Sequence, residues 1–536
     1  MRLPFFNPLK CSLFVFVLLC AVGNTLIFQA PLLKYAATHL TAGTIKGALT
    51  LITVLVIPAG LLMTVLLLAS LGSVRLVKPL SLILVLGNAI ALYFMNSYNV
   101  VLDRSMMGNV FRTDVREAGE LLNIQLIWYL FAAGLVPTIL LLKLNIQPTT
   151  LVRKVATLSA VLLTLFAWLY ANSSSWLWID KHAQQIGGTM LPWSYVVNTA
   201  RHFDQVASAN RPQVLLPAAY FSAPLQPAQK RVVVLVIGEA ARAQNFSLYG
   251  YPRSTNPFTA PAAMAVMLDA RACSTYTTRS LTCMLSHQGE ATSSAARFEV
   301  LPSYLKRHGV DVAWRTNNWG EPPMQVSTYE RPADIQKACE ATGCMDVGFD
   351  GVLLNGLKER IRDSTNPNVL IMLHLNGSHG PAYNSKYPPK FEHFMPVCKS
   401  VDLQTCTRQT LVNAYDNTLR YTDHLLSKLI GTLEELDDVS STLIYQSDHG
   451  ESLGEYGLYL HGAPASIAPD TQTKIPFLVW MSLRFQSEKG LTPEGITRSA
   501  EQAHDYVFHS VMGAFGLRSD IYKFERDVFH KHHGTP

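Results

Sequence analysis

Hydrophobic positions follow two regimes along the chain. Up to about residue 180, apolar residues run without a charge over 11–33, 47–72, 79–102, 121–142 and 155–179. Each run reaches the roughly 20 residues that an α-helix needs to cross a bilayer core, and buried helices of soluble proteins seldom go so far uncharged. The pattern predicts a transmembrane domain of five helices over residues 1–179. Beyond residue 230 the apolar runs shorten to strand length, at 231–238, 310–314, 369–374, 442–446 and 475–480, separated by helical stretches such as 410–436. That alternation predicts a mostly parallel sheet with helices on both faces, an α/β/α domain over 231–536. Residues 180–230 mix Pro, Ala, Gln and Trp without sustained period and read as an amphipathic linker at a membrane surface, where Trp176, Trp178 and Trp193 suit the interface.

Composition and charge sharpen this division. Of 536 residues, 49% are hydrophobic and 15% charged, too apolar for an average soluble protein. Arg2 and Lys10 precede the first run, Arg75 and Lys78 follow the second, and Lys143, Arg153 and Lys154 follow the fourth. Such basic loops stay in the cytoplasm, so five spans place everything after Ile179 outside it. No small-x-small cleavage site follows the first run, and Leu19 before Cys20 is too large for lipoprotein cleavage, so that run is expected to stay as an anchor. Six of the eight cysteines form close pairs in the soluble region, 273 with 283, 339 with 344 and 398 with 406. Local pairs suit disulfides in an oxidising compartment, and their spacing lacks the CxxC of structural zinc. The net charge of +6 favours anionic lipid surfaces and makes no case for nucleic acid.

Candidate chemistry gathers at strand ends. The run 442–446 delivers Ser447, Asp448, His449 and Gly450 into a loop, and a carboxylate beside an imidazole is a place to hold zinc. Alone, Asp-His-Gly reads equally as a turn in which Asp caps the next segment. Open α/β sheets bind ligands beyond the carboxyl ends of their strands, however, and two other ends carry polar groups: Glu239 after Gly238, and the segment from His374 to His379. With His461, this set has the ligands and proton-transfer groups of a zinc hydrolase or transferase. A nucleophile is also needed, and residues 273–283 contain too many hydroxyls for chemistry alone to choose. His504, Asp505 and His509 lie in an apolar helical pattern over 502–517 and read as packing, while the terminal tract 530–533 reads as a solvated tail.

In this order the motifs resemble the lipid A phosphoethanolamine transferases, a family that includes the mobile colistin-resistance enzymes and belongs to the alkaline phosphatase/sulfatase superfamily. The resemblance rests on Glu239 with Arg242 and residues 245–253, on 374–381, 413–418 and 447–454, and on 459–462. It implies an alkaline phosphatase/sulfatase-like catalytic domain and a zinc ion held by Glu239, Thr277, Asp448 and His449. Thr277 would be the nucleophile, four residues after Cys273 and six before Cys283. His379 and His461 would move protons and contact substrate, with Asn318 beside them. In the membrane domain Asn109, Thr113 and Glu117 would share a helix face and hold the ethanolamine headgroup, Glu117 pairing with its ammonium. Cys273–Cys283, Cys339–Cys344 and Cys398–Cys406 would be disulfides.

The implied activity is transfer of phosphoethanolamine from phosphatidylethanolamine to a phosphate of lipid A or lipopolysaccharide, through a phosphoethanolamine-threonine intermediate. The implied setting is a bacterial inner membrane with the catalytic domain in the periplasm, and the implied phenotype is polymyxin resistance. Transfer to another envelope glycan and zinc phosphodiesterase activity are the alternatives. A membrane sensor or transporter would carry charged or broken helices inside the bilayer, whereas these spans are nearly free of ionisable residues. Three departures stand out: Ser274 replaces a glycine, Thr282 a proline, and 319–323 read Trp-Gly-Glu-Pro-Pro where a phosphate-contacting lysine is common near Pro322. Arg279 is expected either to replace that charge or to face solvent.

Overall fold

The computed structural model describes residues 9–40, 44–98, 100–112, 123–175, 178–179, 182–209, 213–222, 229–292, 298–339, 343–401, 403–463 and 467–530. The chain forms two compact units, 1–204 and 205–536.

In the N-terminal unit, four described helices are long and apolar enough to cross a membrane: Ile45–Gly72, Val74–Tyr98, Ile124–Lys143 and Leu151–Ala171. The run expected as a first span over 11–33 is a bent pair, Leu13–Phe28 and Ala30–His39, which meet at 62°. Pro31 explains the break, since it offers no N–H to the carbonyl four residues back and its ring collides there. Counting the pair as one span gives five. Cys11, expected inside that span, instead pairs in a short parallel ladder of Leu9–Cys11 with Leu144–Ile146. Arg153 and Lys154, expected in a loop, stand in the first turn of Leu151–Ala171, because Thr150 caps that helix by accepting from the Arg153 N–H. Asn109 lies on the helix Arg104–Arg112, while Thr113 and Glu117 fall outside the described residues. The stretch 180–230 is divided: Ala183–Thr189 is helical, the helix Trp193–Ala209 follows, and Tyr220–Phe221 pairs with Leu517–Arg518 in the C-terminal unit.

The C-terminal unit is built on an eight-stranded sheet. From edge to edge run Arg498–Ala503, Met264–Arg271, Phe477–Met481, Val439–Ser447, Lys230–Gly238, Asn368–His374, Asp311–Thr316 and Thr328–Glu330. Phe477–Met481 is antiparallel to both neighbours. It is fed by a chain that stays at the carboxyl end of Val439–Ser447 rather than crossing the sheet behind a helix, so it must return in the opposite sense. Lys230–Gly238 looks uniformly apolar but alternates in space. Val233, Leu235 and Ile237 enter a core shared with Leu281, Tyr304, Phe508 and Phe515. Val232, Val234 and Val236 enter the opposite core, with Ile361, Tyr415, Leu426 and Leu433. Helices therefore cover both faces, and the long one, Arg408–Glu434, is capped by Thr407 accepting from the Thr410 N–H. The carboxyl ends of Lys230–Gly238 and Val439–Ser447, paired in parallel at the sheet centre, release Glu239 and Asp448 side by side.

Candidate active site

Glu239, Asp448 and His449 are fully buried, and Thr277 nearly so. Thr277 is the first residue of the helix Thr277–Met284, so its hydroxyl stands at that helix's N-terminus. Thr277 Oγ1 donates to Glu239 Oε2 at 3.2 Å and lies 3.4 Å from His449 Nε2. The same nitrogen is 3.3 Å from Glu239 Oε1 and 3.2 Å from Asp448 Oδ2. Donors bound to zinc at about 2.0–2.1 Å in a tetrahedron would be separated by about 3.3–3.4 Å, and these spacings, which draw on both Glu239 oxygens, are of that size. His449 Nδ1 faces the carbonyl of Gly450 at 2.9 Å, an arrangement that puts its proton there and leaves the Nε2 lone pair for a metal. Glu239 Oε1 and Asp448 Oδ2 are buried without a hydrogen-bond partner, which in a folded protein demands an explanation that a cation supplies.

The electrostatics agree. Burial pushes the Asp448 carboxyl up and the adjacent Glu239 charge pushes it further, well above the usual carboxylate range. Burial also works against Glu239, but the pull of the adjacent His449 holds it well below that range. Burial alone would lower His449, yet Asp448 and Glu239 hold it up to about 10, so without a metal its Nε2 also carries a proton, which a bound cation would displace. Two buried carboxylates thus require positive charge between them.

Two further histidines complete the mouth of the site. His461 offers a ligand atom within 4.8 Å of those of Glu239 and His449, and its Nδ1 is 3.4 Å from the buried Glu451 carboxylate. Its ring centroid lies 4.2 Å from that of His449 and 5.5 Å from that of His379. Burial pushes His379 down to about 3, so it is neutral near pH 7. Asn318 Nδ2 donates to Glu239 Oε2 at 2.8 Å and so orients that carboxylate.

The chain is similar to known proteins. Residues 231–517 match the sulfatase family model, and residues 60–207 match the model for phosphoethanolamine transferase EptA/EptB. Over 449 residues the chain is 36% identical to the phosphoethanolamine transferase EptA of Helicobacter pylori, spanning 83% of this chain and 82% of that protein. The chain belongs to the phosphoethanolamine transferase family. It is also 32% identical over 548 residues to the phosphatidylethanolamine transferase Mcr-1 of Escherichia coli, covering 98% of this chain and 97% of that one. The integral membrane lipooligosaccharide phosphoethanolamine transferase A of Neisseria meningitidis superposes with a TM-score of 0.87 at 27% identity, over 97% of this chain and 99% of that one.

In this transferase, the motifs that carried the resemblance mostly build the floor of the site. Arg242 donates to Asn245 Oδ1, to the carbonyl of Glu451 and to Glu455, which pins the loop after His449. Asp416 receives Asn245, Tyr251 and Arg253, and Tyr415 donates to the carbonyl of Ala240. The hydroxyls of Ser378 and Thr418 lie 2.6 Å apart and tie the His379 loop to the long helix. A side chain at Gly377 would meet the Glu239 carbonyl 2.8 Å from its Cβ, at a backbone φ of +50°, so only glycine lets the two strand-end loops touch. Ala240 and Leu460, next to Glu239 and His461, hold positive φ of 54° and 63° without being glycine, a strain that packed surroundings must maintain.

The cysteine pairs 273–283, 339–344 and 398–406 are disulfides. Arg279 neither faces solvent freely nor reaches for phosphate: its guanidinium donates to the carbonyls of Glu290 and Thr292 and anchors the segment 273–283. Helix geometry explains this, since two residues beyond Thr277 a side chain projects from another face. Thr275 is committed as well, its hydroxyl donating to the carbonyl of Ala463. Glu451 was overlooked in the sequence. A carboxylate two residues beyond His449 reads as solvated surface, and only its full burial against His461 gives it a role.

Proposed function

We propose that this phosphoethanolamine transferase uses zinc and Thr277 to move phosphoethanolamine from phosphatidylethanolamine to a phosphate of lipid A, with its catalytic domain on the periplasmic side of a bacterial inner membrane. The observation that carries the reading is the Thr277 hydroxyl, set at a helix N-terminus within 3.4 Å of two groups able to hold a metal. Glu239, Asp448, His449 and Thr277 would hold the zinc. Bound there, zinc supplies Lewis-acid stabilisation of phosphate charge and lowers the pKa of an oxygen it touches.

In the first step Thr277 Oγ1 forms a bond to phosphorus while the bond to the glycerol oxygen breaks. The hydroxyl proton passes to a neighbouring base, and the departing alkoxide takes a proton to leave as diacylglycerol. His461, facing the Glu451 carboxylate, is placed to deliver that proton. His379, neutral and buried beside it, is suited to hydrogen-bond the incoming acceptor rather than to hold its proton. In the second step an acceptor phosphate oxygen attacks the same phosphorus and Thr277 recovers its proton. The N-terminus of Thr277–Met284 favours the anionic phosphoryl group throughout. Asn109, Thr113 and Glu117 are proposed to hold the donor headgroup from the membrane side.

Mass spectrometry of lipid A from a Gram-negative host expressing the chain tests this directly. Added phosphoethanolamine is expected with the native protein and none with Thr277→Ala, the loss being at least about 1,000-fold for a missing nucleophile. With phosphatidylethanolamine and no acceptor, the adduct should sit on the peptide 273–283. Unmodified lipid A alongside an adduct on Thr277 would redirect the acceptor to another envelope glycan, and an adduct on Thr275 or Thr278 would displace Thr277.

A further inference from the structure

His504 immediately precedes the helix Asp505–Phe515, whose Val507, Phe508, Val511, Met512 and Phe515 are fully buried in the core. Its ring is itself fully buried and spans two segments of the site. The backbone N–H of Cys273 donates to His504 Nδ1 at 3.4 Å, and His504 Nε2 donates to the carbonyl of Ser447 at 3.1 Å. A peptide N–H can only donate and a carbonyl can only accept, so the ring must be neutral with its proton on Nε2. His449, two residues beyond Ser447, is turned the other way, giving Nδ1–H to the carbonyl of Gly450. One imidazole is wired for a metal and the other as a strut.

The strut joins the backbone of the nucleophile segment directly to the end of the strand that carries the metal-binding residues, beside the indirect tie that runs from Ala272 to Thr473 and from Ser447 to Pro476. Cys273 opens the segment carrying Thr277, and Ser447 is the last strand residue before Asp448 and His449. The Cys273–Cys283 disulfide closes the segment on itself and cannot set its register against the strand. Thr275 ties it to residues 462 and 463, on the side of His461. We propose that His504 is a positioning residue of the transfer reaction, holding the Thr277 hydroxyl in register with Glu239, Asp448 and His449 by bridging the Cys273 N–H and the Ser447 carbonyl. The proposal rests on Thr277 as the nucleophile. In-line attack on phosphorus is sensitive to placement, and an error of about 1 Å can cost about 100-fold in rate.

The test uses full-length protein in detergent with phosphatidylethanolamine as donor. His504→Leu removes both hydrogen bonds at little change in volume, while His504→Gln keeps an amide able to donate toward Ser447. In a single turnover, the rate constant for phosphoethanolamine appearing on the peptide 273–283 is expected to fall about 10- to 100-fold in His504→Leu. Zinc content should be retained, KM for the donor should stay within about twofold, and His504→Gln should recover a substantial part of the rate. A merely structural role would lower the amplitude of the burst, the fraction of active protein, and leave the rate constant of that fraction unchanged. A native rate constant in His504→Leu, whatever its amplitude, overturns the proposal. If His504→Leu does not fold, His504→Asn, which faces Cys273 but falls short of Ser447, is read by the same rate constant. Turnover with excess acceptor separates the two readings: slowed turnover in the variant with no adduct on Thr277 in the native protein removes the nucleophile assignment and keeps the strut.

Discussion

The two units solve opposite burial problems. In the N-terminal unit large apolar side chains point outward, with Leu163 68% and Phe166 69% exposed, while Asn24, Gln29 and Asn88 are buried and hydrogen-bonded inside. In the C-terminal unit the middle of the central strands is apolar and fully buried, and buried Glu239, Asp448, His449 and Glu451 gather beyond the carboxyl ends of Lys230–Gly238 and Val439–Ser447. Outward leucines and phenylalanines over helices of 20 residues or more make sense against lipid, where apolar surface carries no penalty. Buried Glu239, Asp448 and Glu451 make sense only where something repays their desolvation. The lesson is that an out-of-place residue identifies the missing partner: hydrocarbon in one unit, a cation and an anionic substrate in the other.

The largest expected effect comes from removing that partner's ligands. Asp448→Ala should lower zinc occupancy and reduce transfer by at least about 100-fold, because Lewis-acid stabilisation contributes several kcal/mol. Metal analysis and the rate should fall together, and full activity in metal-free protein would end the zinc reading. The next test inverts a burial rule in each unit. Leu163→Arg, in the middle of Leu151–Ala171, should cost about 2.5–3.5 kcal/mol of membrane insertion in a translocation reporter. Leu483→Lys, at a position 84% exposed in the C-terminal unit, should change thermal stability by less than about 0.5 kcal/mol. Equal effects at the two leucines would erase the distinction between the units.

A smaller effect belongs to pH. Burial pushes His509 down to about 4, and its Nδ1 accepts the Lys523 N–H, which only the neutral ring can do. The unfolded chain therefore binds the proton first, so His509 contributes stability above about pH 6.5 that is lost as pH falls through about 4, on the order of 2 kcal/mol. Asp527, raised to about 6 by burial, works in the opposite direction, its stability being lost as pH rises toward 6. The comparison of His509→Gln with the native protein isolates the histidine: acid melting of the C-terminal unit should flatten in the variant, while exchange protection of the N-terminal helices stays level. An unchanged acid limb would show that His509 is not neutralised by burial.

Much of the molecule was legible in its one-dimensional pattern, for a reason that differs between the units. The apolar runs of the N-terminal unit are long enough to declare membrane helices by length alone, and the strands 231–238, 369–374 and 442–446 differ from the observed ones by a few residues at the ends. Strands Met264–Arg271 and Arg498–Ala503 were not, because peripheral strands mix Asp269, Arg271 and Glu501 into their pattern and lose the apolar signature. The bend at Gln29 was missed because hydropathy does not register a missing N–H. Thr277 is separated from Thr275 and Thr278 by family spacing alone; the fold adds that the Thr275 hydroxyl is spent on Ala463.

What the sequence determined by itself is what depends on near neighbours in the chain: which segments are apolar, with what period, and which strand ends carry Glu239, Asp448 and His449. Tertiary structure alone decided which polar groups meet. Glu239 and Thr277 are 38 residues apart, Thr277 and His449 172, and His504 joins Cys273 to Ser447 across 231 and 57. Those distances close only because parallel strands release their ends on one side of the sheet, and because a side chain's partner, and hence its charge and tautomer, is set by burial among groups remote in the chain.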